Sequence, residues 1–106
     1  MIKKFHIQIP LSYEDSFNLL FKSGDNITNW KTSKSNLKEG FIEWKQSLFS
    51  LTGSATILAQ LKQTEKRETS VDIAVQKPAQ FIDPLGICDK VFNKLDKAWR
   101  ETLKNQ

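Results

Sequence analysis

At 106 residues, with 39% hydrophobic and 26% charged residues, the chain has the length of one domain and an ordinary globular composition, which excludes a disordered or bilayer-spanning class. Sixteen basic and twelve acidic residues leave a net charge of only +4, spread evenly, which argues against the clustered basic footprint of a nucleic-acid binder. One cysteine excludes an internal disulfide, and "MIKKFHIQIP" lacks the apolar run of roughly 7–15 residues that a signal peptide carries, so a cytoplasmic location is expected.

"KFHIQIP" alternates Phe5, Ile7 and Ile9 against Lys4, His6 and Gln8, which predicts a half-buried strand ended by Pro10. Ser12, with Asp15 three residues later, predicts a capped helix start. Tyr13, Phe17, Leu20 and Phe21 then share one helical face, and Gly24 is read as the stop. Four strands follow, "NWKTSKSNL", "FIEWKQSLF", "SATILAQLKQ" and "ETSVDIAVQK", separated by "KEG", "SLTG" and "TEKR". Ala55, Ile57, Ala59 and Leu61, then Val71, Ile73 and Val75, are the core-facing sets.

The last element is "FIDPLGICDKVFNKLDKAW". Asp83 and Pro84 predict the helix start, with Gly86 inside its first turn. Leu85, Cys88, Val91, Phe92, Leu95, Ala98, Trp99 and Leu103 form an apolar stripe at helical spacing, and Cys88 is expected as a small core residue. Lys94 is placed on the opposite, solvated face together with Asp96, Lys97, Arg100 and Glu101.

The order β-α-β-β-β-β-α, with short connections, predicts an α+β domain spanning 1–106: a curved antiparallel sheet covered by a long C-terminal helix. This order resembles the helix-grip architecture shared by TATA-box-binding-protein-like folds and by START or polyketide-cyclase-like binders of lipids and small molecules. Ser50, Gly53, Pro78, Gln80, Asp83 and Gly86 are similar to an "S-x-x-G" strand opening and a "P-x-Q-x-x-D-x-G" joint found in small, largely uncharacterised bacterial proteins. Gly86 stands one residue later than in that pattern. The resemblance implies a binding fold and carries no catalytic residues. The chain also lacks the extra strands that enlarge the cavity of full-size helix-grip proteins.

Motifs for chemistry are missing from the sequence. No phosphate loop, metal-spaced Cys or His pair, or nucleophile elbow is present, so no cofactor, no metal site and no enzymatic activity are expected. His6 is expected on the strand face away from the core. Two sets of residues remain as candidates. Trp30, Phe41, Trp44, Phe49 and Trp99 are more aromatic surface than a minimal core needs, and they would line a slot for a small apolar ligand or a protein partner between sheet and C-terminal helix. Lys31, Lys34, Lys38 and Lys45, interleaved with Trp30, Phe41 and Trp44, form the alternative, weak nucleic-acid binding through the hairpin 30–46; no specific nucleic-acid partner is expected. A homodimer paired through the outer sheet face near Leu58 is the competing structural role.

Overall fold

In the computed structural model, which describes residues 1–78 and 86–106, the elements are β1 (Ile2–Ile9), α1 (Tyr13–Asp25), β2 (Trp30–Asn36), β3 (Phe41–Gln46), β4 (Ala55–Glu65), β5 (Glu68–Gln76) and α2 (Ile87–Lys104). The strands form one antiparallel sheet in the order β1-β5-β4-β3-β2. The expected α+β order and the meander of the last four strands are both present. The first strand closes the sheet by pairing with the fifth, from Ile2 opposite Gln76 to Ile9 opposite Thr69. The helix α1 then carries the chain across to β2 at the far edge.

Side-chain alternation decides which face is covered, because successive residues of a strand point to opposite sides. Val75, Ile57 and Trp44 lie in one inward row across three strands, and Ile73, Ala59 and Ile42 in the next. All six are buried. Against them α2 lays Cys88, Val91, Leu95 and Trp99, and α1 lays Phe17, Leu19 and Leu20. Phe92, at the margin of the α2 stripe, stacks on Phe5 with ring centroids 4.2 Å apart and planes 2° from parallel. Each fully buried aliphatic side chain contributes about 1.5–3 kcal/mol, so the stripe on α2 is what anchors that helix to the sheet.

Three local readings are corrected. Gly24 does not stop α1; the helix runs through it to Asp25, and Asn26 is the cap. Its role is close approach: a Cβ at position 24 would lie 2.3 Å from the Trp44 indole. Gly86 is not in the first turn of the last helix but immediately before it, in the left-handed region at φ 65°, where glycine carries no Cβ penalty. The described part of α2 therefore starts at Ile87, while the expected start at Asp83 and Pro84, the stripe residue Leu85 and the joint residue Gln80 lie outside the described residues. Finally, β3 ends at Gln46 rather than continuing to Phe49, because residues 47–53 fold into consecutive turns.

The Gly24 contact yields a test that reverses ordinary helix propensity. In an exposed helix interior Gly→Ala stabilises by up to about 1 kcal/mol. Here Gly24→Ala is expected to destabilise by about 1–3 kcal/mol through overpacking against Trp44. Combining it with Trp44→Phe, which removes the contacted atoms of the indole, is expected to recover much of that loss in a double-mutant cycle read by denaturant unfolding. Additive costs would show that the two residues are not in contact.

Candidate functional site

The aromatic candidates do not converge on a slot. Trp30, Trp44 and Trp99 are 6%, 0% and 2% exposed and belong to the core, with the Trp30 and Trp44 rings 5.8 Å apart. Phe41 lies on the outer face of β3, and Phe49 is 89% exposed in the turn after it. The core residues just described form one buried apolar cluster between sheet and helices. The basic hairpin is likewise divided: Lys31 faces Lys45 across the outer side of the sheet, Lys34 sits opposite Glu43, and Lys38 lies in the turn between β2 and β3. Trp30 and Trp44 point the other way, so the lysines have no indole face beside them on which a base could stack.

A different set of residues comes together at the end of the sheet where β3 turns into β4. Gln46 continues the inward alternation of Ile42 and Trp44 and is 3% exposed. A buried amide must be hydrogen-bonded, and this one is saturated. Its Oε1 accepts from Trp30 Nε1 at 2.7 Å and from Lys94 Nζ at 3.1 Å, while its Nε2 donates to Thr52 Oγ1 at 2.8 Å and to the Gly53 carbonyl at 2.6 Å. Lys77, 4% exposed, donates from Nζ to the carbonyls of Thr52 and Ser54, both at 2.6 Å. The turn 47–53 is thus held from beneath by one amide and two ammonium groups.

Lys94 is the residue that the sequence reading misplaced. It stands at the edge of the α2 stripe, half-buried, and its Nζ donates to Ser50 Oγ at 3.0 Å and Thr52 Oγ1 at 3.3 Å as well as to Gln46. Burial, and then the nearby positive charge of Lys77, hold its pKa below the ordinary lysine value of 10.5. Lys94 also lines an open cleft of about 660 Å³ with Lys90, Ser50, Thr52, Leu51 and the 27–29 segment that joins α1 to β2. Its lining combines the apolar side chains of Ile27 and Leu51 with the two cations. Such a surface suits a small molecule with an apolar body and an acidic group.

On the outer face, His6 Nδ1 is 2.8 Å from Asp72 Oδ1, and its Nε2 is 3.4 Å from Ser70 Oγ. The composition is that of a catalytic triad, but the environment is not. The His6 and Asp72 side chains are 49% and 78% exposed, and the Gln8 amide competes for Nε2 at 3.1 Å. Charge stabilisation needs a water-excluded site, so this set serves as a cross-strand clamp between directly paired residues. Among the described residues no group of His, Cys, Asp and Glu has the arrangement to hold a metal ion, and no helix is long and apolar enough to cross a membrane.

Neither a family model nor a curated protein matches the sequence. Solved structures match it over nearly its whole length. Ara h 8.0201 superposes with a TM-score of 0.66 at 10% identity, covering 96% of this chain and 95% of that one. The Aha1 dimer from Colwellia psychrerythraea gives 0.62 at 14% identity over 92% and 91%. The di-domain ARO/CYC BexL from the BE-7585A biosynthetic pathway gives 0.66 at 9% identity; the match takes in 99% of this chain but 45% of that longer one. At such identities the likeness is one of fold. With a five-stranded antiparallel sheet gripped by a C-terminal helix, the chain has the helix-grip fold that its element order resembles.

The lowered pKa of Lys94 predicts a pH dependence with a definite sign. Between that lowered value and the unfolded value near 10.5 the unfolded chain binds more protons than the folded one, so this residue makes stability rise with pH across the window. Below the window the folded protein carries the full cost of a partly buried ammonium. Denaturant midpoints measured at about pH 8 and about pH 10 are therefore expected to move in favour of the parent relative to Lys94→Met at the higher pH. A constant difference between the two proteins would remove Lys94 from the account.

Proposed function

We propose that this protein is a binding module rather than an enzyme, and that its ligand is a small amphipathic acid seated at the mouth between the sheet end and α2. The observation that carries the reading is the cleft itself, whose lining joins Lys90 and Lys94 with Ile27 and Leu51 and with Ser50 and Thr52. Lys94 is already oriented by three oxygen acceptors, so little rotamer freedom is lost when an anion arrives. The helix-grip likeness to proteins of varied roles is consistent with binding and does not choose the ligand. The apolar cluster packed between sheet and helices supports a shallow site at the mouth in place of a deep apolar slot.

The competing homodimer through the outer sheet face has weaker support. Leu58 is half-buried there, in a groove of about 420 Å³ shared with Lys4, Gln60 and Asp72. Cross-strand polar pairs cover much of the remaining face, including His6 with Asp72 and Lys45 with Thr56 at 3.2 Å. Such a surface is adequately solvated without a partner.

Amide chemical-shift titration with octanoate, and with 1-octanol as the uncharged match, tests the ligand reading. Octanoate is expected to shift residues around Ile27, Asn29, Leu51 and Lys90, and Lys94→Met is expected to weaken it about tenfold through loss of one positive charge beside the bound anion. Equal responses to acid and alcohol, or an undiminished response in Lys94→Met, would overturn the acidic ligand.

A further inference from the structure

The turn that follows β3 places three large apolar side chains in water. Leu48, Phe49 and Leu51 are 73%, 89% and 106% exposed, while Ser50 between them is buried and points inward. Scattered exposed leucines need no explanation, but three within four residues at one protruding tip form a local apolar feature. Part of the tip's backbone is bonded within the turn. The amide of Ser50 donates to the Ser47 carbonyl at 3.1 Å and that of Gly53 to the Ser50 carbonyl at 2.9 Å; Phe49 donates to Ser47 Oγ at 3.1 Å. A segment leaving water for hydrocarbon must satisfy its peptide groups internally, and these amides already do so.

Charge around the tip is mostly of one sign. The register brings Trp30 opposite Gln46 and Gln46 opposite Ala55, so β2 starts, β3 ends and β4 starts at the same end of the sheet. Lys31 and Lys45 lie one residue in from that end, and Lys77, Lys90 and Lys94 flank the turn from β5 and α2. Of the acids nearby, Asp89 is paired with Lys3 at 2.9 Å, Asp25 accepts from Thr32 at 3.4 Å, and Glu43, which lines a surface pocket with Lys45 and Lys77, accepts from Ser33 at 2.7 Å. The glutamates of the β4–β5 turn, Glu65 and Glu68, are at the opposite end of the sheet.

From the exposed apolar tip, the bonded Phe49 and Ser50 amides and the basic rim behind them, we infer that residues 48–51 dock this protein onto an anionic phospholipid surface. A fluid bilayer interface accommodates a narrow protrusion, whereas a stable protein interface needs a broad patch of about 800 Å² on each side. A short apolar insertion alone holds only weakly, and the lysines supply the second, electrostatic signal that stable association requires. Tip and rim share Ser50, Leu51, Lys90 and Lys94 with the cleft, but Leu48 and Phe49 are not part of its lining, so Phe49→Ser separates this docking from the acidic-ligand reading.

Flotation with vesicles of phosphatidylcholine alone, and with about 30% phosphatidylglycerol added, tests the inference. The parent is expected to float with the anionic vesicles and to be released as salt rises. The double variant Phe49→Ser, Leu51→Ser is expected to lose at least about tenfold in partitioning, and Lys45→Glu with Lys90→Glu to lose anionic selectivity. All four positions are exposed, so the variants should melt like the parent, and Phe49→Ser alone should leave octanoate binding unchanged. A parent that stays at the bottom of both gradients overturns the inference, as does a serine variant that floats like the parent. A mass that doubles by light scattering without lipid, and that the serine variant returns to the monomer, assigns the tip to a second copy and also overturns it.

Discussion

The contact between Trp44 and Gly24 sets the thickness of this molecule. Trp44 rises from the middle of the sheet and is completely buried, and α1 can lie close above it only because position 24 has no side chain. That approach brings the helix layer down onto the sheet. The closeness has an energetic cost, since among the described residues the buried donor Trp44 Nε1 has no hydrogen-bond partner. The proposed binding site lies at the rim, where the polar end of the same sheet meets α2.

Gln46 links the core to that rim. It occupies an inward strand position two residues beyond Trp44, so its amide is carried below the turn 47–53 by the pleat. Through Trp30, Thr52, Gly53 and Lys94 it ties together β2, the turn and α2. Networks of this kind rigidify when every member is satisfied. The order of the turn, the position of Lys94 in the cleft and the outward direction of Leu48, Phe49 and Leu51 are therefore parts of one arrangement.

The strands were legible in the sequence because a period of two is unambiguous where one face is buried; Ala55 to Leu61 and Val71 to Val75 alternate without exception. The α2 stripe was legible for the same reason at the helical period. Gly24 was not, because a glycine that ends a helix and a glycine that admits a tryptophan look alike until the tryptophan is placed. Phe49 was read as part of an apolar strand, since nothing local separates an exposed Leu48-Phe49 pair from a buried one. Lys94 falls three residues after Val91, at the margin of the stripe, and only the fold shows that its long stem carries the ammonium inward to three oxygens. Gln46 did carry a signal: a glutamine that continues the inward series Ile42, Trp44 needs partners, and the Ser and Thr residues that follow supply one of them.

The closure of the sheet also bears on how the chain acquires its shape during synthesis. The first strand emerges from the ribosome before any other, yet its partner is the fifth, with Ile2 paired to Gln76 across most of the chain. Loop-closure entropy makes so distant a pairing a late event, and folds dominated by non-local contacts assemble slowly. Until β5 has been made, Phe5, Ile7 and Ile9 have no sheet to join. The nascent protein must carry that apolar strand uncovered, and the interval before β5 arrives is when a chaperone or a competing strand has access to it.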